Sequence, residues 1–203
     1  MLAGARSVLA KTWSTGVVSA TGVNQSEREQ LVNLLIESRD RVVASSEQLS
    51  VAQWAFRERK DSWSIGDNVE HLGLVEPILF GQVTSALGAD ANPNWEEETA
   101  GKESLLKEKV LDRSTKRDAP NAVLPAGDID QTRALRVFRE HREISLRFAL
   151  DTVKPLKAHT ADHRRPVYGT LNAYQWLLFI AYHTLRHVEQ IADTKRAPGF
   201  PEA

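Results

Sequence analysis

Cysteine is absent from the 203 residues. That excludes disulfides, a thiolate metal site and a cysteine nucleophile, so any thiol chemistry needs a thiol from outside the chain. An excess of one charge is missing too: 26 Lys and Arg stand against 27 Asp and Glu, for a formal net charge of −1. So weak a field does not steer a protein onto nucleic acid or an anionic membrane. Long hydrophobic runs are also lacking, since the longest, around Trp176 to Tyr182, is far shorter than the ~20 residues that cross a bilayer. Neither nucleic acid nor membrane is expected as a partner, and a cytoplasmic location is. Finally, no segment alternates apolar and polar residues as a strand does, and no repeat of fixed period occurs. The length suits one domain with a sizeable core.

What is present reads as helix. Residues 1–23 contain Arg6 and Lys11, no acid, and many Ser, Thr, Ala and Gly. Targeting peptides share that composition, but Lys11 and the hydroxyl residues interrupt any apolar core, and a flexible tail is the expectation. A first amphipathic helix begins at NQSERE, where Ser26 and Glu29 have capping-box spacing ahead of Leu31, Leu34, Leu35 and Val42, and ends near Glu47. A second starts at Ser64 and Asp67 and carries Ile65, Val69, Leu72, Leu79 and Val83 at helical spacing. Pro77 lies within it and removes the amide bond to Gly73, so a kink is expected there, not a break. From Gly88 to Gly127 the pattern dissolves, apart from one short helix in KESLLKEKVLDR. The third long helix covers IDQTRALRVFREHREISLRFALDTV, with Leu135, Phe138, Leu146, Ala149 and Val153 toward the core. A polar loop follows, and a fourth helix runs from about Leu171 to Thr194. The expected fold is an all-α four-helix bundle with one long crossover.

In the fourth helix Trp176, Ile180, His183, His187 and Ile191 form one stripe, which puts two imidazoles one turn apart in core positions. Such a pair can share a cation. The spacing alone is weak evidence, but two buried imidazoles without partners would be costly. A catalytic metal wants about three protein ligands and an open position. Among the other histidines, His141 sits among charges, and His159 and His163 lie in a basic loop. His71 shares an apolar flank with Val75 and Ile78 and is the best third ligand.

WSIGDNVEHLGLVE around His71, together with PVYGTLNAYQWLLFIAYHTLRHVEQI, resembles the DinB superfamily, in the DinB-like branch that includes metal-dependent thiol transferases. The likeness spans roughly residues 25–194. It implies a four-helix bundle domain, here 24–197 between the 1–23 tail and a 198–203 tail, with the crossover joining the second and third helices. It also implies a divalent metal on His71, His183 and His187; three imidazoles suit zinc, nickel and iron alike. The family often places a histidine directly before proline ahead of the last helix. Here two arginines separate His163 from Pro166, which puts a role for His163 in doubt.

Other residues carry two readings each. Glu76 is a ligand-orienting carboxylate or base, or the salt-bridge partner of Arg142. Gln190 holds a ligand's second nitrogen or a neighbouring loop. Trp63 and Trp176 line a pocket or belong to the core, and Tyr168 and Tyr182 are weaker pocket candidates. As an enzyme of this family, the protein would bind a low-molecular-weight thiol on the metal and transfer it as thiolate to a small electrophilic substrate. The alternatives are a metal-dependent hydrolase, or a non-catalytic metal- or ligand-binding stress-response protein; a homodimer is an open assembly.

Overall fold

The structure, a computed structural model, describes residues 22–202, so the tail expected over 1–23 falls, up to residue 21, outside the described residues. Four long helices build the bundle: α1 (Gln25–Ser46), α3 (Ile65–Gly88), α6 (Gln131–Asp151) and α7 (Ala173–Arg196). Three short ones lie between them: α2 (Val51–Ala55), α4 (Trp95–Thr99) and α5 (Lys102–Leu111), the last packed on α7. No described helix is long and apolar enough to cross a membrane.

Local chemistry sets the helix starts. Ser64 Oγ accepts from Asp67 N at 3.0 Å and Asp67 Oδ2 accepts from Ser64 N at 2.6 Å, the reciprocal cap expected for α3. α1 begins two residues earlier than its Ser26 signal: Asn24 and Glu27 form the capping box, each accepting the other's amide at 2.9 Å. Both pairs have the right spacing, and the upstream one wins by adding helical residues behind it. α7 is capped by Asn172 with Gln175, and α6 by Asp130.

Going round the bundle, the order is α1, α7, α3, α6. Gly73 faces Val137 and Phe138 while Phe80 meets Phe148, so α3 and α6 run in the same direction. Residues 89–130 therefore carry the chain back along the bundle between them. The absence of strands does not hold throughout. Thr160–Asp162 (β1) pairs antiparallel with Thr170–Asn172 (β2), a ribbon of three residues a side, too short for alternation to register in the sequence. Val153 is likewise not in the core: it lies beyond the end of α6 and is 79% exposed.

The core has two apolar clusters separated by a polar layer. Leu35, Val83, Leu146 and Ile180 belong to one cluster; Val42, Leu72, Phe138 and Val188 belong to the other. Between them lie Ser38 on α1, Glu76 on α3, Arg142 on α6 and Thr184 on α7, all buried. Arg142 donates to Glu76 Oε1 and Oε2 at 2.8 and 3.0 Å, to Leu35 O at 2.9 Å, to Ser38 Oγ at 2.6 Å and to Thr184 Oγ1 at 2.7 Å. One guanidinium thus ties all four long helices with every donor used.

Pro77 has a consequence that the sequence alone does not reveal. Without its amide hydrogen, the Gly73 carbonyl has no intrahelical donor. His141 Nδ1, across the α3–α6 contact, lies 2.7 Å from Gly73 O and supplies the proton. His141 is therefore half-buried and structural, not a solvated face residue. Gly73 itself sits where a Cβ would come 3.2 Å from Val137 Cγ1, so the helices approach closely at this point. His141→Ala is expected to cost about 1–3 kcal/mol by leaving a desolvated carbonyl unpaired. Thermal denaturation checks the loss, and metal content should be unchanged.

Candidate metal centre and cleft

Three imidazoles converge between α3 and α7, because the two helices run in opposite directions and place Asn68 and His71 beside His187 and His183. The potential ligand atoms of His71, His183 and His187 all lie within 4.8 Å of one another. His183 Nε2 and His187 Nε2 are 3.3 Å apart. Two nitrogens bound to zinc at ~2.0–2.1 Å and a tetrahedral angle stand about 3.3 Å apart, so this spacing suits a shared cation.

The surrounding hydrogen bonds choose the tautomers. His71 Nδ1 is 2.8 Å from Val123 O, an acceptor only, so Nδ1 carries the proton and the lone pair sits on Nε2. His187 Nδ1 donates to Asn68 Oδ1 at 2.9 Å, and the Asn68 amide is fixed by Nδ2 donating to Ser64 O at 2.8 Å. Burial pushes the pKa values of all three imidazoles down, those of His183 and His187 well down, and their mutual repulsion acts in the same direction on His183 and His187. Neutral rings with lone pairs turned toward each other are the form that binds a divalent cation. Asn68→Ala should weaken metal affinity about 10–100-fold while leaving the three imidazoles in place, as measured by competition with a chromogenic chelator.

The triad lies at the wall of a cleft of about 1120 Å³. Val75 and Ile78 flank His71 as expected, but they face this cleft, and Ile78 is 47% exposed. Trp63 stacks on His187 at 5.9 Å and 18°, and Phe179 on His183 at 6.1 Å and 13°. Trp176 is both core and cleft wall. Tyr168 lines the cleft, whereas Tyr182 is absent from its lining and packs in the core.

Glu76 is not among the residues that line the cleft. Both its oxygens accept from Arg142, and Ser145 Oγ adds a bond to Oε1 at 2.9 Å, so the salt-bridge reading is the one observed. Gln190 lines the cleft, yet His187 takes Asn68 as its partner instead, and Gln190 Oε1 is buried with no hydrogen-bond partner among the described residues. That acceptor is available to a donor on a bound molecule.

His163, doubted from its sequence context, lies in the cleft wall. The ribbon places it, with His163 N donating to Gly169 O at 2.9 Å, against Tyr168, Trp176 and Phe179. Burial holds its pKa down to about 4. Its Nδ1 accepts from Arg165 N at 2.9 Å, so the neutral ring carries its proton on Nε2. His159 bonds Ala89 O and lies outside the cleft lining. Asn68 had a readable signal, three residues before His71 on the same helix face; for His163 the sequence offered only a family pattern from which it departs, and the ribbon is what brings it here.

The DinB superfamily pattern matches residues 34–191, and the chain belongs to that superfamily. No curated protein matches the chain. Among solved structures, it is similar in fold to YfiT from Bacillus subtilis, described as a probable metal-dependent hydrolase with an unusual four-helix bundle topology. The identity is 13% and the TM-score 0.60, over 88% of this chain and 91% of that one.

Proposed function

We propose that this protein is a metal-dependent enzyme that transfers a low-molecular-weight thiol to a small electrophile, with His71, His183 and His187 as the metal ligands. The observation that carries the reading is the pairing of a three-imidazole cluster with a cleft of about 1120 Å³. A structural metal is closed off by four protein ligands, whereas three ligands facing an open cleft leave positions for reactants. The volume slightly exceeds the ~300–1000 Å³ usual for one small ligand, which leaves space for a thiol and its acceptor together.

A divalent cation held there would favour the thiolate of a bound thiol, the activation a cysteine-free chain cannot supply itself. The chain's own groups do the rest. Val123 O and Asn68 hold the His71 and His187 rings in the binding tautomer. Trp63 and Phe179 cover the faces of His187 and His183 and keep bulk water from them. His163, neutral and protonated on Nε2, lines the cleft as a hydrogen-bond donor for a bound molecule.

A second reading, metal-dependent hydrolysis of a small molecule, is favoured by the description of YfiT and uses the same residues. One experiment separates the two. Metal-loaded protein is assayed against a panel of chromogenic electrophiles and esters, with and without low-molecular-weight thiols and chelator. Thiol-dependent, chelator-sensitive consumption of the electrophile supports transfer. Chelator-sensitive turnover without thiol supports hydrolysis and overturns transfer. Absence of both overturns the enzymatic reading.

A further inference from the structure

The metal chemistry leaves two guanidiniums of the cleft unexplained. Arg186 sits on α7 between His183 and His187 and is 7% exposed. Its Nη1 donates to Val110 O at 3.3 Å and to Asp112 O. Arg117, in the connection after α5, donates to Tyr168 Oη and, through Nη2, to Lys109 O at 2.6 Å. All of these partners are neutral. Neither arginine forms an ion pair among the described residues: the exposed Asp112 carboxylate, which accepts from Ser114 N at 2.9 Å, is near enough to attract both but contacts neither. Arg142 and Arg57 show the ordinary arrangement, each salt-bridged to a carboxylate that is itself buried.

A desolvated cation without an anion is costly, and a guanidinium does not escape by losing its proton. Arg186 is such a group, and the half-buried Arg117 lies beside it, the two guanidiniums bonding the consecutive carbonyls of Val110 and Lys109, so that like charges meet there. An oxyanion between them would offset both costs. The adjoining cleft wall is aromatic, with Trp176 stacked on His163 and Phe179 tilted against it.

We infer that Arg117 and Arg186 form an oxyanion-binding subsite, which takes the carboxylate or phosphate of a small substrate whose apolar body lies against Trp176 and Phe179. This rests on the proposed enzymatic role of the cleft, since Arg186 adjoins two of the proposed metal ligands. The substrate or the thiol is then an amphipathic anion, held so that its other end reaches the metal position. Charge-assisted bonds to paired guanidiniums favour an oxyanion over a neutral isostere by at least tenfold.

The test uses the full chain, metal-free and zinc-loaded, with 4-phenylbutyrate, phenyl phosphate and the neutral 4-phenylbutyramide as calorimetric probes. In metal-free protein at least one anion should bind with a Kd on the order of millimolar or tighter and at least tenfold more tightly than the amide. The tighter anion identifies the group. Arg117→Gln, in a partly exposed connection, should remove that preference and leave amide binding unchanged, and Arg117→Lys should retain part of it. Added salt should weaken anion binding only. Equal binding of anion and amide, no anion binding, or a preference undiminished in Arg117→Gln would each overturn the subsite. So would anion binding confined to zinc-loaded protein, which places the anion on the metal. Because the readout is taken without metal, its failure leaves the metal-enzyme reading intact, and loss of metal-dependent turnover leaves the subsite intact.

Discussion

Alanine at His71, at His183 or at His187 is expected to abolish stoichiometric metal binding, whereas alanine at His141 or His159 leaves it intact. The ligand atoms of the three imidazoles lie within 4.8 Å of one another, and removing any one leaves two, too few to hold a catalytic divalent ion. Wild-type protein at a metal concentration about a hundredfold above Kd gains about 2.7 kcal/mol, a rise in melting midpoint of roughly 5–10 °C for a chain of this size. Each ligand variant should lose that rise. Metal analysis after gel filtration and melts with and without metal measure both effects; full stoichiometric metal in all three variants refutes the assignment.

The same histidines set a pH dependence with a defined sign. Their folded-state pKa values, and that of His163 at about 4, lie below the usual ~6.5. Above pH ~6.5 the rings are neutral in both states and contribute no slope. As the pH falls below that, the unfolded chain takes up protons that the fold resists, so the metal-free protein loses stability progressively down to the folded-state values. Metal binding weakens over the same range, because protons compete for the lone pairs. A melting midpoint that stays flat between pH 7 and 5 would contradict this.

The second large effect lies in the buried polar layer. Glu76→Ala leaves the Arg142 guanidinium, which is 0% exposed, without its counter-charge. The expected cost is about 3–5 kcal/mol, or roughly 6–20 °C in the melting midpoint. The Glu76→Leu/Arg142→Met double variant should recover part of it, because Ser38 and Thr184 keep backbone acceptors of their own at Leu35 O and Ile180 O while Ser145 loses Glu76 as its acceptor. Chemical denaturation of the single and double variants tests the cycle. If Glu76→Ala were as stable as wild type, the layer would not hold the bundle.

The histidine cluster and the buried pair differ in how they could be read. His183 and His187 are four residues apart on one helix, and helical periodicity alone puts them on one face among Trp176, Ile180 and Ile191. The long helices, the Ser64 cap of α3 and the apolar flank of His71 are local in the same sense and follow from spacing and side-chain chemistry. Candidate partners without a local relation stayed open: Glu76 had two readings until Arg142, 66 residues away, was seen to occupy both its oxygens.

The sequence by itself therefore determined the helical segments, the excluded chemistries of a cysteine-free and nearly neutral chain, and the two imidazoles of α7, since each depends on neighbours within a turn or on composition. The tertiary structure alone decided which face meets which. It paired His141 with the carbonyl that Pro77 orphans, and Asn68 with His187. It brought His163 to the cleft on a ribbon too short to announce itself, and left Arg117 and Arg186 side by side with no ion pair among the described residues. The reason is physical: periodicity encodes the direction a side chain takes from its own helix, but hydrogen bonds, desolvation and charge pairing depend on atoms from elements far along the chain, whose approach is set by the packing of the whole bundle.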